Sequence, residues 1–261
     1  MTKVKPLDYA YAVGRVRALE RDLIPQSIFQ EACEEENFGS ALKEVFDAGV
    51  FIQELKEIRD SRELDQFIQA EEDYLMRDVY GLFLQESLKT ILDSLWTPER
   101  ALDASRRSGN SFIIDFCRHR IDLGNLKLLA RIKYRDWKIE NLRPLLMAGG
   151  FLPPERILAG FSLTFTEFGG SIQSTPYGDI WAEGMDALEN EETFVEWERS
   201  TEDFQMRFLR RAKRIVFGPE PVFAYALARK MELGLLRILG AGKLNRVPPE
   251  ILKRRMGETY V

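Results

Sequence analysis

Histidine is almost missing from this 261-residue chain, with His119 the single example. A His-rich metal site is therefore excluded, as is any mechanism that needs two imidazoles. Only two cysteines occur, Cys33 and Cys117. Both fall in helical patterns, so buried, reduced thiols are expected instead of a disulfide. No run reaches the roughly 18 uninterrupted apolar residues of a membrane span. The most apolar helical stretch, Val222 to Ala241, carries Arg229, Lys230, Glu232 and Arg237 across its middle. The first residues lack the apolar core of a secretory signal, which makes the cytoplasm the expected compartment. Sustained period-two alternation is also missing, and Leu163 to Thr166 is the one strand-like fragment. The fold class expected is all-α.

What remains is ordinary soluble-protein material: 45% hydrophobic and 30% charged residues, net charge −5. A chain of this length can bury roughly three quarters of the surface its unfolded form exposes. The charge is uneven. From Met206 to Val261 there are thirteen Lys/Arg and four Asp/Glu, a balance of +9 against −14 for the rest. The acidic total argues against nucleic acid as a partner, whereas the basic end suggests a surface for a polar partner or an anionic membrane.

The dominant pattern is a repeat. Arg120 to Lys133 recurs as Lys230 to Lys243, 110 residues later. Each copy has a basic start, an acid two residues on (Asp122, Glu232) and Leu-Gly. Each then has a basic eighth position (Lys127, Arg237) and a final lysine. Two further matches share an offset of 130: Phe38–Leu42 with Phe168–Ile172, and Glu72–Arg77 with Glu202–Arg207. Two helical repeat units are thus expected, residues 1–147 and 148–261, with Pro144 and Gly149-Gly150 marking the division.

Helix signals fill both units. Asp8 to Glu20 is one candidate, a second begins at Pro25, and Ser40 is expected to cap a third. Leu64, Phe67, Ile68, Glu71, Leu75, Val79, Leu82 and Phe83 follow the spacing of one helix face. That helix is expected to run from Arg62 to about Leu95, with Gly81 as its weak point. Thr97-Pro98 opens the next, and Phe112 to Tyr134 forms the long central helix.

That central helix is apolar on most sides, so it should be buried with Asp122 and Asn125 inside it. The spacing suggests Asp122 paired with Arg118 one turn back, and Asn125 bonded to a neighbouring helix or loop. In the second copy the asparagine position is Leu235. His119 with Asp122 makes only half a metal site. Gly240-Ala-Gly-Lys243 lacks the strand–loop–helix setting of a phosphate loop and reads as a helix end. Arg207, Arg210, Arg211, Lys213 and Arg214 crowd one region. Helical spacing would put Arg207, Arg210, Arg211 and Arg214 on one face, as a partner contact or as compensation of a helix dipole.

Four passages together resemble the C-subunit family of A/V-type rotary ATP synthases and ATPases, similar to the vacuolar d subunit. They are Tyr9–Arg17 with Ser27–Ala32, Asp122–Arg131, Gly218–Tyr225, and Glu232–Lys243 with Tyr260-Val261. They fall at the start, middle and end of the chain. The resemblance implies a funnel of pseudo-repeated helical subdomains, seated on the membrane proteolipid ring and receiving the foot of the central stalk. It further implies a peripheral, non-catalytic socket that transmits torque for ion transport, with no obligatory cofactor or small molecule. The family's acid-x-x-Asn pattern falls on Asp122 and Asn125. Family members show three units and this chain two. Either its N-terminal helix and C-terminal pieces together complete the ring, or one subdomain is missing or shortened. The competing readings are an unrelated helical scaffold, and a helical enzyme holding an anionic ligand through Arg207–Arg214 in a deep pocket.

Overall fold

The computed structural model describes residues 4–51 and 58–261. Part of the N-terminal stretch read for a signal, residues 1–3, lies outside them. Before Gln85 the chain forms α1 (Ala10–Leu19), α2 (Gln26–Glu34), α3 (Phe38–Ala48) and α4 (Ser61–Leu82). It continues through α5 (Glu86–Asp93), α6 (Pro98–Ser108), α7 (Ser111–Tyr134), α8 (Ile139–Leu142), α9 (Pro154–Gly160), α10 (Phe165–Ile172) and α11 (Gly178–Glu191). It ends with α12 (Val195–Arg210), α13 (Glu220–Leu244) and α14 (Pro249–Arg255). No strand occurs among the described residues, so the fold is all-α.

Local chemistry sets most of these boundaries. Asn37, not Ser40, caps α3: its side chain accepts from the Ser40 amide at 3.0 Å, and the Ser40 hydroxyl receives the Asn37 amide at 3.3 Å. Thr164 caps α10 in a reciprocal pair with Glu167, so the strand-like Leu163–Thr166 is a helix start. Of the two β-branched threonines that suggest a strand, Thr164 is here the cap and Thr166 lies inside the helix. Pro98 takes the first position of α6 as expected, although the Thr97 side chain makes no capping bond. The long helix from Arg62 stops at Leu82, one residue after Gly81, because Phe83 turns extended and buries its ring. The residues after it form the separate α5.

Two compact units result: residues 1–84 with 202–261, and residues 85–201. The division expected near residue 148 follows the order of the repeats, whereas the compact units divide at 84/85 and inside α12.

In the first unit α13 is buried on nearly all sides and packs against α1, α2, α3, α4 and α14. Its Leu233, Leu236 and Leu239 share a core with Phe29, Phe67 and Ile68. Each such side chain contributes about 2 kcal/mol relative to exposure. This core unites N-terminal and C-terminal pieces of the chain. In the second unit α7 holds the central place and packs against α6, α8 and α9. Beside it an aromatic group stacks edge to face, with ring centroids 4.8 Å apart for Phe168–Trp181 and 5.9 Å for Trp181–Trp197. Both cysteines are buried and free, and burial pushes each thiol up to about 11, which leaves them poor nucleophiles.

Candidate functional site

The repeated helix turns out to be a clamp. In the second unit Asp122 is fully buried on α7. Its Oδ2 accepts from the Phe151 amide at 2.8 Å and the Tyr177 hydroxyl at 2.6 Å, and its Oδ1 from the Leu152 amide at 3.0 Å. Those amides immediately precede Pro153 and α9. Eleven residues along, the Lys133 ammonium donates to the Phe161 carbonyl at 2.8 Å and to the Leu163 carbonyl, at the far end of α9. Eleven residues are about three helical turns, so the acid and the base share one face roughly 16 Å apart. A carboxylate at the amino end and a cation at the carboxyl end both suit the dipole of the helix between them.

The first unit repeats the device on α13. Glu232 Oε1 accepts from the Ile24 amide at 2.7 Å, just before Pro25 and α2. Lys243 donates to the Cys33 carbonyl at 2.7 Å and the Glu35 carbonyl at 2.5 Å, at the end of α2. The acid–base spacing is again eleven. In each unit a long helix grips a shorter parallel one by both ends. The Gly-Lys ending of the second copy is the helix end expected, since α13 stops at Leu244. Its lysine serves another helix.

The expected pairing of Asp122 with Arg118 is corrected. Arg118 donates to the Gly150 carbonyl at 3.1 Å and lies 3.8 Å over the Phe151 ring, acting on Asp122 through its charge alone. The loop amides compete better because Gly149 (φ +98°) and Gly150 let the backbone reach the carboxylate. A Cβ on Gly150 would lie 2.0 Å from Asp122 Oδ1. Asn125 does bond a loop: its side chain donates to the Met147 carbonyl at 2.8 Å and accepts from the Met147 amide at 2.9 Å. His119 Nδ1 sits 2.7 Å from the Tyr177 hydroxyl. Burial raises the pKa of Asp122, and burial followed by the nearby Asp122 carboxylate raises that of Tyr177.

Glu232 is set differently from Asp122. Its second oxygen pairs at 2.9 Å with Arg229, which lies 3.7 Å from Glu71 and donates to the Val50 carbonyl at 2.7 Å. Burial pushes Glu232 up to about 7 even with that guanidinium beside it. Arg229 and Glu71 were not singled out for chemistry from the sequence. The available signal was an acid on the buried line of α4 and a basic residue inside an apolar helix.

Lys127 and Arg237, the matched basic positions, form ion pairs with Glu198 at 2.7 Å and Asp65 at 3.0 Å. The Arg237 pair is exposed and contributes at most about 1 kcal/mol, whereas the Lys127 pair is half-buried.

The arginine cluster is divided by the fold. The α-helix ends at Arg210, and residues 211–214 form a 3₁₀ turn, so the single face expected for Arg207 through Arg214 is not continuous. Arg207 pairs with Glu258 at 2.7 Å, and Arg210 pairs with it at 2.5 Å while donating to the Thr259 carbonyl. Asp203 completes the latch by accepting from the Glu258 amide at 2.6 Å, beside the buried Tyr260. Arg211, Lys213 and Arg214 stay exposed. Replacing Arg210 by alanine should therefore cost about 2 kcal/mol through the lost charged hydrogen bonds. Urea unfolding would record that loss, and hydrogen exchange at the Glu258 amide should quicken.

A cleft of about 140 Å³ in the first unit is lined by Arg15, Asp22, Tyr74, Tyr225 and Arg229 among others, and by none of residues 207–214. It does not meet the condition set by the anionic-ligand reading, an acid meeting those arginines in a deep pocket. No helix among the described residues is long and apolar enough to cross a membrane.

The C subunit of the V-type sodium ATPase of Enterococcus hirae is 28% identical over 143 residues, 54% of this chain and 42% of that protein. The C subunit of the A-type ATP synthase of Archaeoglobus fulgidus is 26% identical over 146 residues, 55% of this chain and 41% of that protein. For the corresponding A-type protein of Methanocaldococcus jannaschii the figures are 23% over 133 residues, 51% and 29%. The chain thus spans less than half the length of each of these relatives. The model of the ATP synthase (C/AC39) subunit family matches residues 43–255. That match takes in both clamping helices and the held helix α9, and the chain belongs to the ATP synthase (C/AC39) subunit family.

Proposed function

We propose that this protein is a non-catalytic rotor component of an A/V-type ATPase or ATP synthase. In this reading it is a peripheral socket on the cytoplasmic side that joins the central stalk to the proteolipid ring and passes torque for ion transport. The observation that carries the reading is the duplicated clamp. A torque coupler must transmit strain without yielding, and close-packed helices do so. Tying α2 to α13 and α9 to α7 by buried acids and lysines at both ends opposes sliding and tilting of either strut. The polar residues of the repeat, Asp122, Asn125 and Glu232, are then architectural, and require neither cofactor nor small ligand.

The test is capture of the tagged chain from detergent-solubilised membranes. Proteolipid ring and stalk proteins should come with it in constant ratio. Recovery without either would overturn the assignment. Reversal of Arg210 is a poor interface probe because it releases the Glu258–Thr259 latch; Arg211 and Arg214 are the useful positions.

A further inference from the structure

Between Asp203 and Glu220 the chain has five basic residues and no acid. The latch engages Arg207 and Arg210, so three cations remain on the 3₁₀ turn that follows α12. Arg211 lies over the Phe208 ring and Lys213 over the Tyr260 ring. Among the described residues, neither these two nor Arg214 has a salt-bridge partner. Two neighbouring apolar side chains come next, Val216 at 67% and Phe217 at 45% exposure.

This projection is held rigidly. One nitrogen of Arg17 donates to three carbonyls of the turn, those of Ala212 at 2.8 Å, Lys213 at 3.1 Å and Ile215 at 3.0 Å. The other is fixed by Glu20 at 2.7 Å. Val216 and Phe217 thus follow directly on a pinned turn.

We propose that the segment Arg211–Phe217 is a docking point for an anionic lipid surface. An acidic protein face would match the three cations, but it must also supply a fitted apolar hollow for Val216 and Phe217. A bilayer offers both at every lateral position, phosphates above and the acyl boundary beneath. Each cation held near such a surface contributes about a fivefold gain in partition, so three give roughly 100-fold, removed by salt. That is a supplementary anchor for a complex already held at the membrane, and its biological setting rests on the rotary reading above.

The experiment is co-sedimentation of the full chain with phosphatidylcholine vesicles, with and without one quarter phosphatidylglycerol. Binding should be at least about tenfold stronger to the anionic vesicles at low salt and vanish at high salt. The double substitution Arg211→Glu/Arg214→Glu should abolish it. Val216→Ser/Phe217→Ser should weaken it several-fold with charge unchanged, and the far-UV circular dichroism of both variants should match the parent. Equal binding to both vesicle types, or none to the anionic ones, overturns the proposal. So does binding indifferent to Val216 and Phe217, which would be adsorption by charge alone. Protection of the turn by ring or stalk proteins in a complex freed of lipid would assign it to a protein partner instead. Capture of ring and stalk proteins reads the rotary assignment separately, so failure of one is not failure of the other.

Discussion

Asp122→Leu should cost about 4 kcal/mol, a large share of the 5–15 kcal/mol that holds typical folded chains. The carboxylate is fully buried and accepts three hydrogen bonds. Its removal leaves the buried Leu152 amide and the half-buried Phe151 amide without their acceptor, at up to about 1–3 kcal/mol each. The Tyr177 hydroxyl loses this acceptor as well. Asp122→Asn keeps one acceptor oxygen and should cost roughly half as much. All four tryptophans, Trp96, Trp137, Trp181 and Trp197, belong to the second unit. Fluorescence-detected urea unfolding therefore reports on the unit that Asp122 supports. A midpoint unchanged in the leucine variant would refute the clamp.

The second large effect concerns Arg229→Met in the first unit. Its guanidinium faces two buried acids, Glu232 at 2.9 Å and Glu71 at 3.7 Å. Removing it strands both, and breaking a buried pair from one side costs about 3–5 kcal/mol. The loss should depend on pH in a definite direction. Glu232 has a folded pKa of about 7 against an ordinary 4.5, raised mainly by burial. Between those values the folded state holds more protons than the unfolded state. Stability linked to Glu232 therefore rises as pH falls from 7 toward 4.5 and is lost as pH rises through 7. Without Arg229 the folded pKa moves higher still, since that charge favours the ionised form. The cost of Arg229→Met should thus be largest at pH 8 and shrink by pH 5.5, read from urea midpoints by far-UV circular dichroism. Adding Glu232→Gln should recover part of the stability at pH 8. A cost equal at both pH values would show that the guanidinium is not balancing these carboxylates.

Much of this architecture is legible from spacing alone. Leu64, Phe67, Ile68, Glu71, Leu75, Val79 and Leu82 lie three or four apart in the sequence and are the buried residues of α4. The central helix was expected over Phe112–Tyr134 and found over Ser111–Tyr134, because Asn110 caps it and little inside it opposes a helix. Boundaries failed where two local preferences compete. Thr164 satisfies strand and cap equally well until Glu167 is seen to reach back. Phe83 continues an apolar helical line until its ring finds the core by leaving the helix.

Of the candidate site, the sequence by itself determined the repeat: an acid, a base five residues later and a lysine eleven residues later on a buried helix, twice over. It also determined the helical class and the family resemblance. Those depend on periodicity and residue type, which are properties of neighbours along the chain. The tertiary structure alone decided what the repeated groups hold. Lys243 meets carbonyls more than 200 residues away in sequence, Glu232 meets the Ile24 amide 208 residues away, and Arg210 is claimed by Glu258 and Thr259. Charge attracts without regard to sequence distance, and burial chooses among the available partners by leaving no polar group unmatched. Only packing brings α2 beside α13 and α9 beside α7, and so makes a clamp of what spacing alone presents as a row of charges on an apolar helix.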